Sequence, residues 1–296
     1  MIYVFGHKNP DSDSICSALV AAQWLSARGL PARAWRLGAI THETAYILRQ
    51  AECEPPPLLT VSLQDKATWV VDFSDAEQGP DTLPQSRLLG LIDHHRLGTL
   101  TSCEPLDAWI RRVGSTATLL WQILTQEYAM PPDRSQAILL LGAILSDTVG
   151  LISPTTSEVD RQAVAALRAA CRPDYDTFLT GLLAAKTCLA GYSAPALLTK
   201  DLKRFVIGEH TLEIAQLEVA SAQQVDAQLR PLLACMQQRC HEQGVDYVML
   251  AVSDIRRRHT VLYRVTRDGR VFPPQPLPGM LSRKKEILPW VSAHLI

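Results

Sequence analysis

Ile2–Ser14 reads IYVFGHKNPDSDS. Ile2–Phe5 is a short apolar run ending at Gly6, the signature of a buried strand. Asn9-Pro10-Asp11 then breaks regular structure. Ser12 or Ser14 is placed to cap a helix whose apolar face carries Ile15, Leu19, Ala22 and Leu25, with Gly29 at its end. The polar loop between strand and helix holds His7, Asp11 and Asp13, so chemistry-bearing side chains sit at the carboxyl end of a buried strand.

Working outward, the same alternation continues. Ala32–Leu37, Thr68–Val71 (TWVV) and Leu88–Ile92 (LLGLI) read as further strands, and Thr41–Ala51 as a helix. Helical patterns run from about Ser115, restart at Pro131-Pro132-Asp133 and persist to about Ala185. Alternating strands and helices predict an α/β fold with a mainly parallel sheet flanked by helices. Thr187–Pro195 (TCLAGYSAP) reads as a hinge. Beyond it, Arg204–Ile207, Thr211–Leu217, Tyr247–Val252 and Thr260–Val265 are strand-like. Ser221–Glu242 is helical in pattern, and Pro231 is expected to split or kink it. The predicted organisation is therefore residues 1–186, a linker at 187–195, and a smaller α/β domain at 196–296, with an active site in the cleft between the two domains.

The chain has 296 residues, 47% hydrophobic and 20% charged, which fits a globular protein and argues against disorder. The longest apolar stretch, Ala137–Leu145 (AILLLGAIL), is too short to span a bilayer, so no membrane partner is expected. The start, MIYVFGHKN, has no basic region followed by an apolar one and predicts no secretory signal. Seven Cys with no CxxC pair argue against a disulfide scaffold and for a reducing, cytoplasmic setting. A net charge of −1 speaks against a general nucleic-acid binder. Residues 1–186 carry 15 Lys and Arg against 20 Asp and Glu, and residues 187–296 carry 14 against 10. An acidic half and a basic half suit a protein that holds cations with one and phosphate oxygens with the other.

Three apolar strands end in similar chemistry. IYVF runs into His7, Asp11 and Asp13; TWVV into Asp72; LLGLI into Asp93-His94-His95. A fourth apolar run, AILLLGAIL, ends in Ser146-Asp147. Ligands of open α/β sheets bind beyond the carboxyl ends of the strands. A buried carboxylate without a cation must change its pKa, so this gathering of acids asks for a metal. Carboxylates mixed with imidazoles, and no thiolate, suit Mn²⁺, Co²⁺, Zn²⁺ or Fe²⁺ better than Mg²⁺. Six or seven ligands exceed one ion, and two ions sharing a carboxylate are the apparatus of phosphoryl hydrolysis.

GHKNPDSDS, VDFSD, IDHH, GSTAT and LSD resemble the successive motifs of the DHH phosphoesterase superfamily. Ser282-Arg283-Lys284-Lys285, with Asp201–Phe205 (DLKRF) before it, is similar to the second domain of the manganese-dependent, family II inorganic pyrophosphatases. The GGH-type signature of the nucleic-acid-cleaving branches is not in this sequence. The resemblance implies hydrolysis of inorganic pyrophosphate to two orthophosphates by a metal-bridging hydroxide. It implies two Mn²⁺ (or Co²⁺) per chain, with further Mg²⁺ or Mn²⁺ arriving with substrate, and a homodimer. His7 and Asp11 would bind one metal; Asp13, His94 and Asp147 the second; Asp72 would bridge them. Asp93 would orient the pair or handle protons, and His95 would touch phosphate. Lys203, Arg283 and Lys284 would clamp the substrate, with Asn9 and Ser115 near the phosphates.

One position departs from the resemblance. The family usually reads VDH where this chain has Val71-Asp72-Phe73. A phenyl ring in place of an imidazole implies a lost hydrogen-bonding partner near the metals, which can weaken binding or activity about 10–100-fold. Hydrolysis of short polyphosphate or of a small phosphoester, and a weakly active phosphate- or metal-binding relative, therefore stay open beside pyrophosphatase activity. His42, His210, His241, His259 and His294 have no ligand-like spacing. Arg256-Arg257-Arg258 reads as a solvated turn, and no regulatory module is inserted between Asp13 and Asp147.

Overall fold

Strict alternation of apolar residues decides how the first sheet buries itself. The computed structural model describes residues 1–171, 174–255 and 257–294. The chain divides into two units, Met1–Ala185 and Lys186–Ile296. The first contains β1 (Ile2–Phe5), α1 (Ser12–Ala27), β2 (Ala32–Ala34), α2 (His42–Gln50), β3 (Ala67–Val71), β4 (Arg87–Asp93), β5 (Asp107–Ile110), α3 (Thr116–Gln122), α4 (Arg134–Asp147), α5 (Glu158–Leu167) and, at its end, α6 (Tyr175–Lys186). The sheet order is β2-β1-β3-β4-β5, and every pairing is parallel. Val4, Trp69, Val71 and Ile92 face a core shared with α1, α3 and α4. Their neighbours Phe5, Val70 and Leu91 face the opposite side, in a cluster with Leu63, Phe73, Leu83 and Leu88. Each strand is thus apolar on both faces, as parallel strands are.

α4 explains the long apolar run. All of Ala137–Leu145 is buried, so the helix is apolar all round rather than striped. Asp133 and Gln136 close a reciprocal capping box at its start. α1 begins one residue earlier than a serine cap would allow: Asp11 is the cap, accepting the Ser14 amide N–H at 3.0 Å. Gly29 follows its end with φ +79°, a left-handed position that glycine takes without strain. β2 is shorter than the expected strand at 32–37, and Arg36 makes only an isolated bridge to Leu58. β5 has no apolar run behind it and escapes sequence reading.

The second unit contains α7 (Ala194–Lys200), β6 (Leu202–Ile207), β7 (His210–Val219), α8 (Asp226–Gln243), β8 (Tyr247–Asp254), β9 (His259–Thr266), β10 (Gln275–Pro278) and α9 (Leu288–His294). Its sheet runs β10-β9-β8-β7-β6. Only β7 and β8 pair in parallel, with α8 as their crossover. Val248, Leu250 and Val252 pack with α7 and α8, and Met249 and Ala251 with the opposite cluster that includes Leu277, Ile287 and Val291. Pro231 does not split α8: the helix runs through it, with the ring exposed. Residues 187–193 connect α6 to α7, and Ala194 and Pro195, read above as linker, already form the first turn of α7, capped by Ser193. Of the arginine triplet, Arg256 lies outside the described residues, and Arg257 and Arg258 are exposed in the turn after β8. Among the described residues, no helix is long and apolar enough to cross a membrane.

Candidate metal centre

Parallel strands present their carboxyl ends along one edge, and that edge carries the chemistry. His7 follows β1, Asp72 follows β3, and Asp93-His94-His95 closes β4. Asp147 is the last residue of α4, and Asp11 and Asp13 open α1. Asp72 has φ +67°, a left-handed backbone that a non-glycine residue adopts only when its surroundings hold it there. Its amide donates to Ile92 O at 2.8 Å, which fixes the turn.

The side chains converge on Asp72. Its Oδ2 lies 3.4 Å from His7 Nε2 and its Oδ1 3.5 Å from His94 Nε2. His7 Nε2 is also 3.7 Å from Asp11, and His94 Nε2 is 3.9 Å from both Asp13 and Asp147. Three groups have ligand atoms within 4.8 Å of one another: His7, Asp11 and Asp72; Asp13, His94 and Asp147; and Asp72, His94 and His95. These nitrogen–oxygen separations are too long for good hydrogen bonds. The two shortest, from Asp72 to His7 and His94, match atoms that share one ion, since ligands about 2.1 Å from a metal lie roughly 3.0–3.6 Å apart, and the others are within a few tenths of an ångström of that range.

The tautomers agree. His94 Nδ1 donates to Val113 O at 3.1 Å, which leaves Nε2 facing the three carboxylates as the nitrogen that would bind a metal once its proton is displaced. His95 donates twice to Asp93 Oδ1, from its amide at 3.0 Å and from Nδ1 at 2.9 Å. Its side chain is 46% exposed, so Nε2 is the nitrogen offered outward. Asp93 itself is fully buried.

Electrostatics show what the cluster lacks. Burial, then the charges of Asp13, Asp11 and Asp72, pushes the Asp147 carboxyl well above its ordinary range. Burial and Asp72 push Asp13 up to about 7, against the pull of His94. Burial opposes charge on His7 and His94, yet their carboxylate partners outweigh it and hold each up to about 10. Burial would also raise Asp72, but its two histidines hold it well below the usual carboxylate range. The groups keep protons because like charges are crowded out of water, and divalent cations would relieve that crowding directly. The donor set fits two such ions.

Hydroxyls and backbone amides hold the acids in place, and these are the residues sequence reasoning passed over. Ser14 Oγ donates to Asp72 Oδ2 at 3.0 Å and Thr116 Oγ1 to Oδ1 at 3.1 Å. Gly6 makes the first possible, since a Cβ there would lie 2.4 Å from Ser14 Oγ. Asp13 accepts the amides of Thr116 and Ala117 at 2.6 and 3.0 Å and the Ser17 hydroxyl at 2.9 Å. The GSTAT segment signalled a helix start; which acids it would grip was not legible.

The remaining candidates fall elsewhere. Asn9 is exposed in the loop after β1. Ser115 is buried and caps α3. Phe73 is 1% exposed and packs with Phe5, Leu63, Val70, Leu83, Leu88 and Leu91, so the phenyl fills an apolar cluster where the resemblance implied a missing partner of the metals. In the second unit Lys203 and Lys284 are exposed. Arg283 is not: it is 6% exposed, and its guanidinium donates to Asp201 O at 2.6 Å, Asp201 Oδ1 at 2.7 Å and Ile214 O at 3.2 Å. Both terminal nitrogens of the fork that the resemblance offers to phosphate are engaged within its own unit, while Nε has no hydrogen-bond partner.

Residues 1–144 match the DHH family, N-terminal domain, and residues 180–294 match the DHHA2 domain. The chain is 34% identical over 302 residues to a Bacillus licheniformis protein named as a probable manganese-dependent inorganic pyrophosphatase, with 97% of this chain and 96% of the relative covered. It is 35% identical over 313 residues to a Deinococcus radiodurans protein of the same name, with 99% and 98% covered. A solved structure from Methanococcus jannaschii, named as a putative family II inorganic pyrophosphatase, superposes with a TM-score of 0.82 at 30% identity, over 99% of each chain. An exopolyphosphatase-related protein from Bacteroides fragilis shares the fold at a TM-score of 0.53 and 12% identity, over 99% of this chain and 91% of that one.

Proposed function

The chain belongs to the DHH family of manganese-dependent inorganic pyrophosphatases, and from that premise we propose that it hydrolyses inorganic pyrophosphate to two orthophosphates. The observation that carries this reading is the divided carboxylate of Asp72, whose two oxygens face different histidines, His7 and His94. A carboxylate so placed would serve two ions at once. His7 and Asp11 would hold one ion with it, and Asp13, His94 and Asp147 a second. Two Mn²⁺ held there would neutralise phosphate charge and lower the pKa of water enough to supply hydroxide at neutral pH.

The chain's own groups do the rest. Ser14 and Thr116 donate to opposite oxygens of Asp72 and so fix the rotation of its carboxylate, which reduces the reorganisation needed during reaction. Asp93 fixes the His95 ring through Nδ1, and Nε2 is then directed to a phosphate oxygen as donor when the ring is charged. Lys203 and Lys284 are exposed, and their compact charges suit phosphate oxygens. A further Mg²⁺ or Mn²⁺ would arrive with the substrate.

The test is phosphate release from pyrophosphate, tripolyphosphate and a short oligonucleotide after Mn²⁺ loading of the metal-free protein. Pyrophosphate should be the best substrate and the oligonucleotide inert. Faster release from tripolyphosphate would replace this reading with a short-chain polyphosphatase, and no release from any would leave a metal-binding relative.

A further inference from the structure

Asp160 lies outside every group discussed so far, 13 residues past Asp147, yet it is wholly buried. Part of its role is local. It occupies the third position of α5 and accepts the Ser157 amide at 2.6 Å and the Ser157 hydroxyl at 2.6 Å, a capping box. A capping carboxylate normally faces water. This one continues into the protein: Oδ2 also accepts the Gly114 amide at 2.9 Å, and Oδ1 accepts the Thr118 hydroxyl at 2.5 Å. Those contacts span 46 and 42 residues of sequence.

The segment that Asp160 grips touches the metal centre at four points. Val113 O holds His94 Nδ1. The Thr116 and Ala117 amides hold Asp13, and the Thr116 hydroxyl holds Asp72. Gly114 is shaped for the grip: a Cβ there would lie 2.7 Å from Asp160 Oδ2 and 2.7 Å from Thr148 Cγ2, beside Asp147. A bulkier residue would push the carboxylate away or displace the residue that follows Asp147. Four donors satisfy Asp160, so its charge does not compete with the cluster for cations.

Resting on the metal-centre reading above, we infer that Asp160 is a positioning residue for that centre. By anchoring Gly114 and Thr118 it fixes Val113–Ala117, and through that segment it sets the orientation of His94, Asp13 and Asp72. It touches neither metal nor substrate. Groups that orient ligands from behind typically change metal affinity about 10–100-fold when altered.

Three variants separate this from simple helix capping. Asp160→Asn keeps the shape but presents an NH₂ to a backbone or hydroxyl donor. Thr118→Val removes only the arm to α3. Ser157→Ala removes the capping hydroxyl of α5 and with it one of the four donors to Asp160, but leaves the arms to Gly114 and Thr118 in place. The measurement is Mn²⁺ binding to metal-free protein by calorimetry, with thermal unfolding alongside. Asp160→Asn should weaken Mn²⁺ binding about 10–100-fold, and Thr118→Val several-fold, with turnover recovering toward wild type at saturating Mn²⁺. Ser157→Ala, which keeps the arms to Gly114 and Thr118, should lower the unfolding temperature by a few degrees and weaken Mn²⁺ binding less than Thr118→Val does. If Asp160→Asn does not fold, Thr118→Val decides alone, because it leaves the α5 cap intact. Wild-type Mn²⁺ affinity in folded Thr118→Val and Asp160→Asn overturns the positioning role by itself. Wild-type protein that binds no Mn²⁺ overturns the metal-centre reading, and this inference with it.

Discussion

Phe73→His sets the family resemblance against the packing seen here. The resemblance implies that an imidazole after Asp72 restores a usual motif and leaves activity equal or higher. The structure implies a cost. Phe73 is 1% exposed, its ring centroid is 6.4 Å from that of Phe5, and it lies in an apolar cluster with Leu63, Val70, Leu83, Leu88 and Leu91. Fully burying a phenyl group contributes about 1.5–3 kcal/mol, part of which a smaller, more polar ring forfeits. An imidazole nitrogen left unsatisfied among apolar side chains costs a further 1–3 kcal/mol or so. The sum is about 3 kcal/mol, and for a unit of this size each kcal/mol lowers Tm by about 2–4 °C. Phe73→His should therefore unfold roughly 6–12 °C earlier, while Phe73→Leu, which stays apolar, should lose about half as much. Mn²⁺ affinity of the folded protein should be nearly unchanged, because Asp72 is held by Ser14 and Thr116 and not by residue 73. Differential scanning calorimetry and Mn²⁺ titration read both quantities. An unchanged Tm together with tighter Mn²⁺ binding or faster turnover would refute the reasoning and restore the imidazole as a missing partner.

Asp72→Asn should weaken Mn²⁺ binding at both ions together, read as metal stoichiometry after dialysis; two tightly held ions per chain would rule out the bridge. Lys284→Ala, at an exposed position, should leave Tm within about 1 °C and slow pyrophosphate turnover about 10-fold or more, as expected for one lost charged contact. Arg283→Ala should instead lower the stability of the second unit by about 2–4 kcal/mol, since it strips donors from Asp201 and from the Ile214 carbonyl; an unchanged denaturation midpoint would show that these contacts contribute little. In metal-free protein, His7 and His94 titrate near 10 against an ordinary 6.5. Their contribution is complete below about 6.5 and is lost as pH rises through 10, so the unfolding temperature should fall across that window, and a flat profile would contradict it.

The acids and imidazoles were legible because each ends an apolar run, and in a parallel sheet the ends of neighbouring strands meet by construction. That rule brought together His7, Asp72 and His94 from three separate strands. It also reached Asp147, because a buried run that ends in a carboxylate must end where something compensates it. What supports these groups was not legible, for one physical reason: hydrogen bonds between distant segments leave no periodic trace. Asp13 takes its amides from residues 103 and 104 positions away, and the Ser14 hydroxyl reaches Asp72 across 58. The pairing of Arg283 was not legible for the same reason. A basic run in sequence reads as solvated or substrate-facing, yet its partner Asp201 lies 82 residues upstream, and the pairing turns the guanidinium inward. Phe73 is the clearest case, because a motif reads its position relative to Asp72, whereas the strained turn at Asp72 and the alternation of the sheet decide which core the ring enters. The carboxylates tolerate this burial because their compensation is divided: backbone amides and hydroxyls satisfy one share of the lone pairs of Asp13 and Asp72, and the share that faces inward, toward His7 and His94, is met by imidazolium protons that cations would displace.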